Sequence, residues 1–272
     1  MTAVPGAGAI SVIDSATQLG PDGRGSVVVC GSHAGEFAAA CVARWGVRGA
    51  VLNDAGVGLD GAGVAGLALL ERLGLPGAAV DHDSARIGDG QDTWDRGVLS
   101  HVNPRAAALG CRVGMSVPAA AERLSVGRIG DLPALDLSES RSLIAAGPPA
   151  VWALDSASLV RPDDAGSIVV TGSHGGLVGG RPEAALKVDA LAALFNDAGG
   201  GRDGAGTTRL PALDARGIAA ATVACETARI GHARSTYEDG VLSAVNHCAR
   251  NLGAHAGMTA RAFVDLLSER KA

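Results

Sequence analysis

The sequence predicts an α/β protein built as an internal duplication: two Rossmann-like or flavodoxin-like halves with mostly parallel sheets, related by pseudo-twofold symmetry. Three observations carry that expectation. The first is that the chain is written twice. ISVIDSATQLGPDGRGSVVVCGSHAG (10–35) matches VWALDSASLVRPDDAGSIVVTGSHGG (151–176) without a gap. After a two-residue insertion, VLNDAGVGLDGAG (51–63) pairs with LFNDAGGGRDGAG (194–206), and DSARIG (83–88) with ETARIG (226–231). GVLSHVN (97–103) pairs with GVLSAVN (240–246), and LGCRVGM (109–115) with LGAHAGM (252–258). A unit of roughly 120 residues exceeds solenoid and propeller periods, so this is duplication of a domain. The expected boundaries are 1–124 for the first repeat, 125–147 for a connector and 148–272 for the second repeat.

The second observation is alternation. Short β-branched runs ending at glycine, the profile of strands buried on both faces, alternate with stretches of helical periodicity. The third is composition: aromatic residues make up only 3% of the chain, yet hydrophobic residues reach 47%. The core must therefore be made of Ala, Val, Leu and Ile with backbones in close approach, which favours layers of helices on a sheet.

Taken in order, SVID opens the first half as a strand that pairs either parallel or, through its Gly/Pro/Asp-rich turn, antiparallel with the next. SVVVC (26–30) and SIVVT (167–171) are buried strands. FAAACVARWG reads as a helix, AVL as a strand, and AGVAGLALLERLG as a helix closed by glycine. GAAV is a strand, VLSHVNPRAAALG a helix with Pro104 at its first turn or at a kink, and CRVGM a last short strand. Strands alternating with helices imply right-handed parallel crossovers.

Charge and composition exclude several functions. The formal net charge is −5, only Lys187 and Lys271 are lysines, and no basic stripe or aromatic platform exists, so no nucleic-acid partner is expected. No apolar run approaches a membrane span, and the N-terminus lacks the pattern of an export signal, so no membrane partner and a cytoplasmic location are expected. Cys30, Cys41, Cys111, Cys225 and Cys248 are odd in number and lack CxxC spacing, so they read as reduced thiols.

Ligands of open α/β sheets bind beyond the carboxyl ends of the strands, and the matched polar blocks fall there. Asp14-Ser15 and Asp155-Ser156 follow the first strand. The G-S-H turns contribute Ser32 and His33, and Ser173 and His174. Such a turn resembles a nucleophile elbow in geometry, with histidine in the serine's place. Histidine there suits acid–base catalysis and serine suits hydrogen bonding or attack. The alternative is a tight turn with a histidine satisfied by the backbone.

Asn53-Asp54 and Asn196-Asp197 open the block N-D-A-G-x-G-x-D-G-A-G. Its glycines formally match G-x-G-x-x-G, but Asn-Asp-Ala stands where the dinucleotide fingerprint needs its first glycine. Asp54 with Asp60, or Asp197 with Asp203, offers oxygen ligands to a divalent metal. Alternatively, Asp60 and Asp203 cap the following helices. A metal is thus a possible cofactor and a dinucleotide a lesser one.

Asp83/Arg86 and Glu226/Arg229 are either internal ion pairs or clamps in which arginine grips a substrate carboxylate or phosphate. Asn103 and Asn246 cap a turn or touch the same ligand, and Trp94 and Tyr237 pack or act as lids. The halves diverge at Asp81-His82, which become Ala224-Cys225, at Asp89, which becomes His232, and at Arg44, which becomes Lys187.

The expected function is a small-molecule enzyme, a hydrolase or lyase for a compact polar or anionic substrate. Its site would be composite, between the repeats, with Ser32, His33, Asp54, Ser173, His174 and Asp197 as catalytic groups. Arg86, Arg229, Asn53, Asn196, Asn103 and Asn246 would bind substrate. A composite site predicts that losing either His33 or His174 abolishes most activity. The alternatives are a nucleotide-binding protein using the glycine loops, and a scaffold whose polar edge is a subunit interface. The expected partner is the substrate, with a homo-oligomer possible.

Overall fold

The computed structural model describes residues 9–129, 131 and 134–269. The stretch 1–8, which bears on the export-signal expectation, lies outside the described residues. Contacts divide the chain into two units, the first comprising 1–56, 62–137 and 201–203, the second 57–61, 138–200 and 204–272.

Unit 1 holds a five-stranded sheet in the order β1 (Ile10–Ile13), β2 (Val27–His33), β3 (Gly49–Asn53), β4 (Gly77–Val80), β5 (Leu99–Val102). The first four strands are parallel and β5 runs antiparallel to β4. β1 therefore takes the parallel option: the turn after it winds through two short 3-10 segments and returns the chain to the starting end.

Helices α1 (Glu36–Ala43) and α2 (Gly66–Arg72) cover one face, where Ala38, Ala39, Val42, Leu67 and Leu70 pack on Val28, Cys30, Ala50 and Leu52. Helices α3 (Gly90–Arg96), α4 (Pro104–Ala108) and α5 (Val117–Leu124) follow on the other side. There, Val27, Val29, Val51 and Val80 meet Ala106, Val117, Ala120 and Leu124. Small residues allow these layers to close tightly: a Cβ on Gly31 would lie 2.4 Å from the Asp89 nitrogen.

Unit 2 holds six strands in the order β6 (Arg141–Ala145), β7 (Val151–Leu154), β8 (Ile168–His174), β9 (Ala192–Asn196), β10 (Ala219–Val223), β11 (Leu242–Val245). β7 to β10 are parallel, and the outer strands β6 and β11 are antiparallel. β6 falls within the stretch 125–147. Its helices are α6 (Arg209–Asp214), α7 (Ala233–Glu238), α8 (His247–Asn251) and α9 (Ala260–Glu269), the last packing Phe263, Val264 and Leu267 on Ile168, Val170 and Ala221. Short 3-10 turns at Val178–Gly180 and Pro182–Ala184 stand where unit 1 has α1. Arg209 is buried there and donates from Nε to the Gly176 carbonyl at 3.0 Å and from Nη1 to the Ala184 and Ala185 carbonyls. Its guanidinium lies 5.1 Å over the Phe195 ring.

Two sequence expectations are corrected. VLSHVN is not helical: β5 and β11 are strands, and the helix begins only at Pro104 or His247. The residue before proline is steered to extended backbone, and Asn103 sits at φ −80°, ψ 164°. CRVGM forms a turn held to β5 by the Leu99 N–H donating to the Met115 carbonyl and the Gly114 N–H donating to the Leu99 carbonyl, with an isolated bridge between Val98 and Ser116 beside it. Among the described residues, no helix is long and apolar enough to cross a membrane.

Candidate functional site

The sequence-expected polar residues do reach strand ends, but most are consumed in holding the loops. β2 and β8 each carry a bulge, where register passes from Val29↔Val51 to His33↔Asn53 and from Val170↔Leu194 to His174↔Asn196. The bulge turns Ser32 Oγ toward the Ala16 N–H at 3.0 Å, and Ser173 Oγ toward the Ala157 N–H at 2.9 Å. Both hydroxyls accept a backbone hydrogen bond and pin the segment after the first strand. His33 Nδ1 accepts from the Gly35 N–H at 3.1 Å, and His174 Nδ1 from the Gly176 N–H at 3.2 Å. In each neutral ring the proton therefore sits on Nε2.

Asn53 and Asn196 are buried and staple the loop beyond β4 or β10 to the strand end. Their amides donate to the Ala85 and Ala228 carbonyls, and their oxygens accept from Ala55 and Ala198. Asn103 Oδ1 accepts from both Gly77 and Ala106 while its amide donates to Leu75; Asn246 repeats this with Ala220, Ala249 and Ile218. Of the two roles open to these residues, the cap is the one the structure displays.

The arginines are also engaged. Arg86 does not pair with Asp83; it bonds Asp203 at 2.6 Å and Asp92 at 3.3 Å. Arg229 likewise leaves Glu226 and pairs with Asp60 and, at 3.7 Å, with Asp239. Asp60 and Asp203 therefore sit in ion pairs, in left-handed backbone (φ 53° and 55°), and cap nothing. Asp54 falls in unit 1 and Asp60 in unit 2, Asp197 in unit 2 and Asp203 in unit 1, so neither metal pairing read from the sequence is assembled within a unit. The glycine loop is a chain of positive-φ turns, and α2 begins only at Gly66, so the strand–turn–helix context of a dinucleotide fingerprint is not formed. Trp94 packs against the core of unit 1 and Tyr237 against that of unit 2.

One group stands apart. In unit 1 the ends of β2, β3 and β4 and the start of β5 adjoin, through His33↔Asn53, Asn53↔Val80 and Val80↔Leu99. Asp54, just beyond β3, is buried, and its Oδ1 accepts from the Gly56 N–H (3.1 Å), the His82 N–H (3.0 Å) and lies 2.9 Å from His82 Nδ1. Its Oδ2 accepts from Ser100 Oγ at 2.7 Å, and His101 Nδ1 lies 3.0 Å from the same hydroxyl. Burial raises the Asp54 pKa, but hydrogen bonds from His82, Ser100 and Gly56 and the charge of His82 outweigh it and hold the carboxyl below its ordinary range. The Asp54 hydrogen bond raises His82 above its ordinary 6.5 against burial, helped by the charges of Asp54, Asp83 and Asp81. The result is an aspartate–histidine dyad with a serine on the far carboxylate oxygen.

The matching place in unit 2 keeps the carboxylate and the serine but lacks the imidazole. Asp197 still accepts from Gly199 and from the nitrogen of residue 225, but that residue is Cys225. Burial and Glu226 push Asp197 above its ordinary range despite hydrogen bonds from Ser243, Gly199 and Cys225. Burial, with the Asp197 and Glu226 charges, pushes the Cys225 thiol up to about 12. The differences segregate by unit. The His82 carbonyl accepts from the Arg202 N–H at 2.8 Å, and the Cys225 carbonyl from the Leu59 N–H at 2.8 Å. Thus Asp81, His82, His101 and Arg202 lie in unit 1, and Ala224, Cys225, Ala244 and Leu59 hold the matched positions in unit 2. Gly201 allows this approach, since at φ 63° a Cβ there would lie 3.0 Å from the His82 carbonyl.

Of this group the sequence had marked only Asp54 as catalytic. His82 was visible as a divergence between halves, and Ser100 lay inside the matched GVLS-x-VN block; neither had a motif to give it a role. Comparison with known proteins finds no matching family model, no similar curated protein and no similar solved structure.

Proposed function

We propose that the strand edge of unit 1 is the active site of a hydrolase or lyase acting on a compact polar or anionic small molecule. His82 moves the proton, Asp54 orients its ring and balances its charge, and Ser100 fixes the second carboxylate oxygen. His33 lies at the neighbouring strand end, paired in register with Asn53. The observation that carries the reading is the Asp54–His82–Ser100 chain, present in unit 1 and broken in unit 2, where Asp197 and Ser243 remain but Cys225 stands in place of the histidine. A dyad kept only to stabilise a loop would have no reason to gather Asp81, His82, His101 and Arg202 into the same unit, with uncharged residues at all four matched positions. The two units are read as descendants of one Rossmann-like domain, of which one copy kept the chemistry. None of the five cysteines is in a disulfide, in keeping with a reducing cytoplasm.

The test is a screen of amides, lactams, esters and hydroxy acids, followed by variants of the responding activity. His82→Ala and Asp54→Asn should each lower kcat about 100-fold or more, the usual worth of a positioned acid–base group. His174→Ala and Cys225→Ala should leave it near the parent rate. Full turnover in His82→Ala would overturn the reading.

A further inference from the structure

We infer that Asp54, Asp81 and His82 form a binding site for one transition-metal dication per chain, of which Zn²⁺ is the best fit. The three side chains bring a ligand atom each within 4.8 Å of one another. His82 Nδ1 lies 2.9 Å from Asp54 Oδ1 and 3.7 Å from Asp81 Oδ1. Ligand atoms held about 2.1 Å from a zinc ion lie roughly 3.0–3.4 Å apart, so His82 needs adjustments of a few tenths of an ångström toward each carboxylate, and the Asp54–Asp81 pair closes from within 4.8 Å. The cation would take the place of the proton between Nδ1 and Oδ1.

The surroundings are those of a held ligand set. Asp54 Oδ2 is fixed by Ser100, and Asp81 Oδ1 accepts from the Asp83 N–H at 2.7 Å. Asp83 Oδ2 lies 3.9 Å from His82 Nε2, a nearby negative charge on the far side of the ring. The His82 backbone is tied at both ends, its N–H to Asp54 and its carbonyl to Arg202. One imidazole and two carboxylates favour a borderline metal over Mg²⁺ or Ca²⁺, which prefer all-oxygen sites. The Asp81 side is half exposed, leaving water a fourth coordination position. With Ala224 and Cys225 in these places, unit 2 offers no second set.

The site shares Asp54 and His82 with the acid–base dyad and adds Asp81, so the two readings are tested separately in metal-loaded and metal-stripped protein. The experiment is calorimetric titration of Zn²⁺ into the chelator-stripped full chain, with Co²⁺ absorption as a second signal. The expected result is one ion per chain, affinity at least tenfold weaker in Asp81→Asn, binding lost in His82→Ala, and both unchanged in Cys225→Ser. Circular dichroism confirms that each variant is folded. Absence of binding, equal affinity in Asp81→Asn, or dependence on Cys225 would overturn the site. Turnover in chelator-stripped protein that vanishes in His82→Ala would leave the dyad standing on its own.

Discussion

At matched strand ends, Asp54 meets the His82 imidazole, whereas Asp197 accepts from the backbone N–H of Cys225. Two neighbouring substitutions separate the units there, and their effect on charge is measurable. In metal-stripped protein, a ring-nitrogen NMR titration should place His82 above 6.5, and Asp54→Asn should bring it down, because the aspartate bond is the largest cause of the rise. The sign of the linkage follows. The raised histidine stabilises the fold below its unfolded value of 6.5, an effect lost as pH climbs through the folded one; the depressed Asp54 stabilises above 3.8, an effect lost on acidification. The dyad therefore contributes most between those two values. Asn103 teaches the opposite lesson about role. It satisfies the buried Gly77 and Ala106 N–H groups and the Leu75 carbonyl, so Asn103→Ala should cost about 3 kcal/mol in urea denaturation, by orphaning them. A ligand-binding asparagine would show a smaller loss.

At the level of elements, β6 is fastened by a buried ion pair. Arg141 bonds Asp164 through two nitrogens, at 2.7 and 3.0 Å, and stacks 4.1 Å over Trp152. Burial raises the Asp164 pKa, but Arg141 and the Arg161 N–H overcome it and hold the carboxyl low, so this contribution is present above 3.8 and lost as pH falls through the folded value. Arg141→Ala should cost about 3 kcal/mol by leaving a buried carboxylate unpaired, and should move acid unfolding to higher pH. In the first glycine loop, Val57 is held at φ 63°, where a β-branched residue is strained. Its match Gly200 sits at φ 74° without that cost, so Val57→Gly should raise stability by about 1 kcal/mol in thermal unfolding. The regular elements were legible where periodicity was unmixed, as in VVVC, GAAV and FAAACVA. VLSHVNPRAAA was not: its apolar spacing suits either conformation, and only the pairing of β5 with β4 decides it. β6 was missed because its partner is supplied by the fold, and no repeat announces it.

For the whole molecule, the sequence match between the halves made the strand-edge carboxylates legible, because both halves carry Asn-Asp at the end of the third parallel strand. The same comparison hid the rest of the site, since His82, Asp81 and Arg202 lie where the copies differ and resemblance carries no signal. Difference can be tested by transplant. Ala224→Asp, Cys225→His and Leu59→Arg together should lower the Asp197 pKa, measured by carboxyl NMR, and add a second Zn²⁺ per chain. An unchanged Asp197 would mean that the surrounding backbone matters more than these side chains. The membership of 201–203 in unit 1 bears on how the molecule is made. Ser84 and Arg202 touch across 118 residues of chain, so a nascent unit 1 lacks the cover over its His82 loop until residue 203 has emerged from the ribosome. A gene cut at the connector would yield two fragments, each missing a piece encoded in the other.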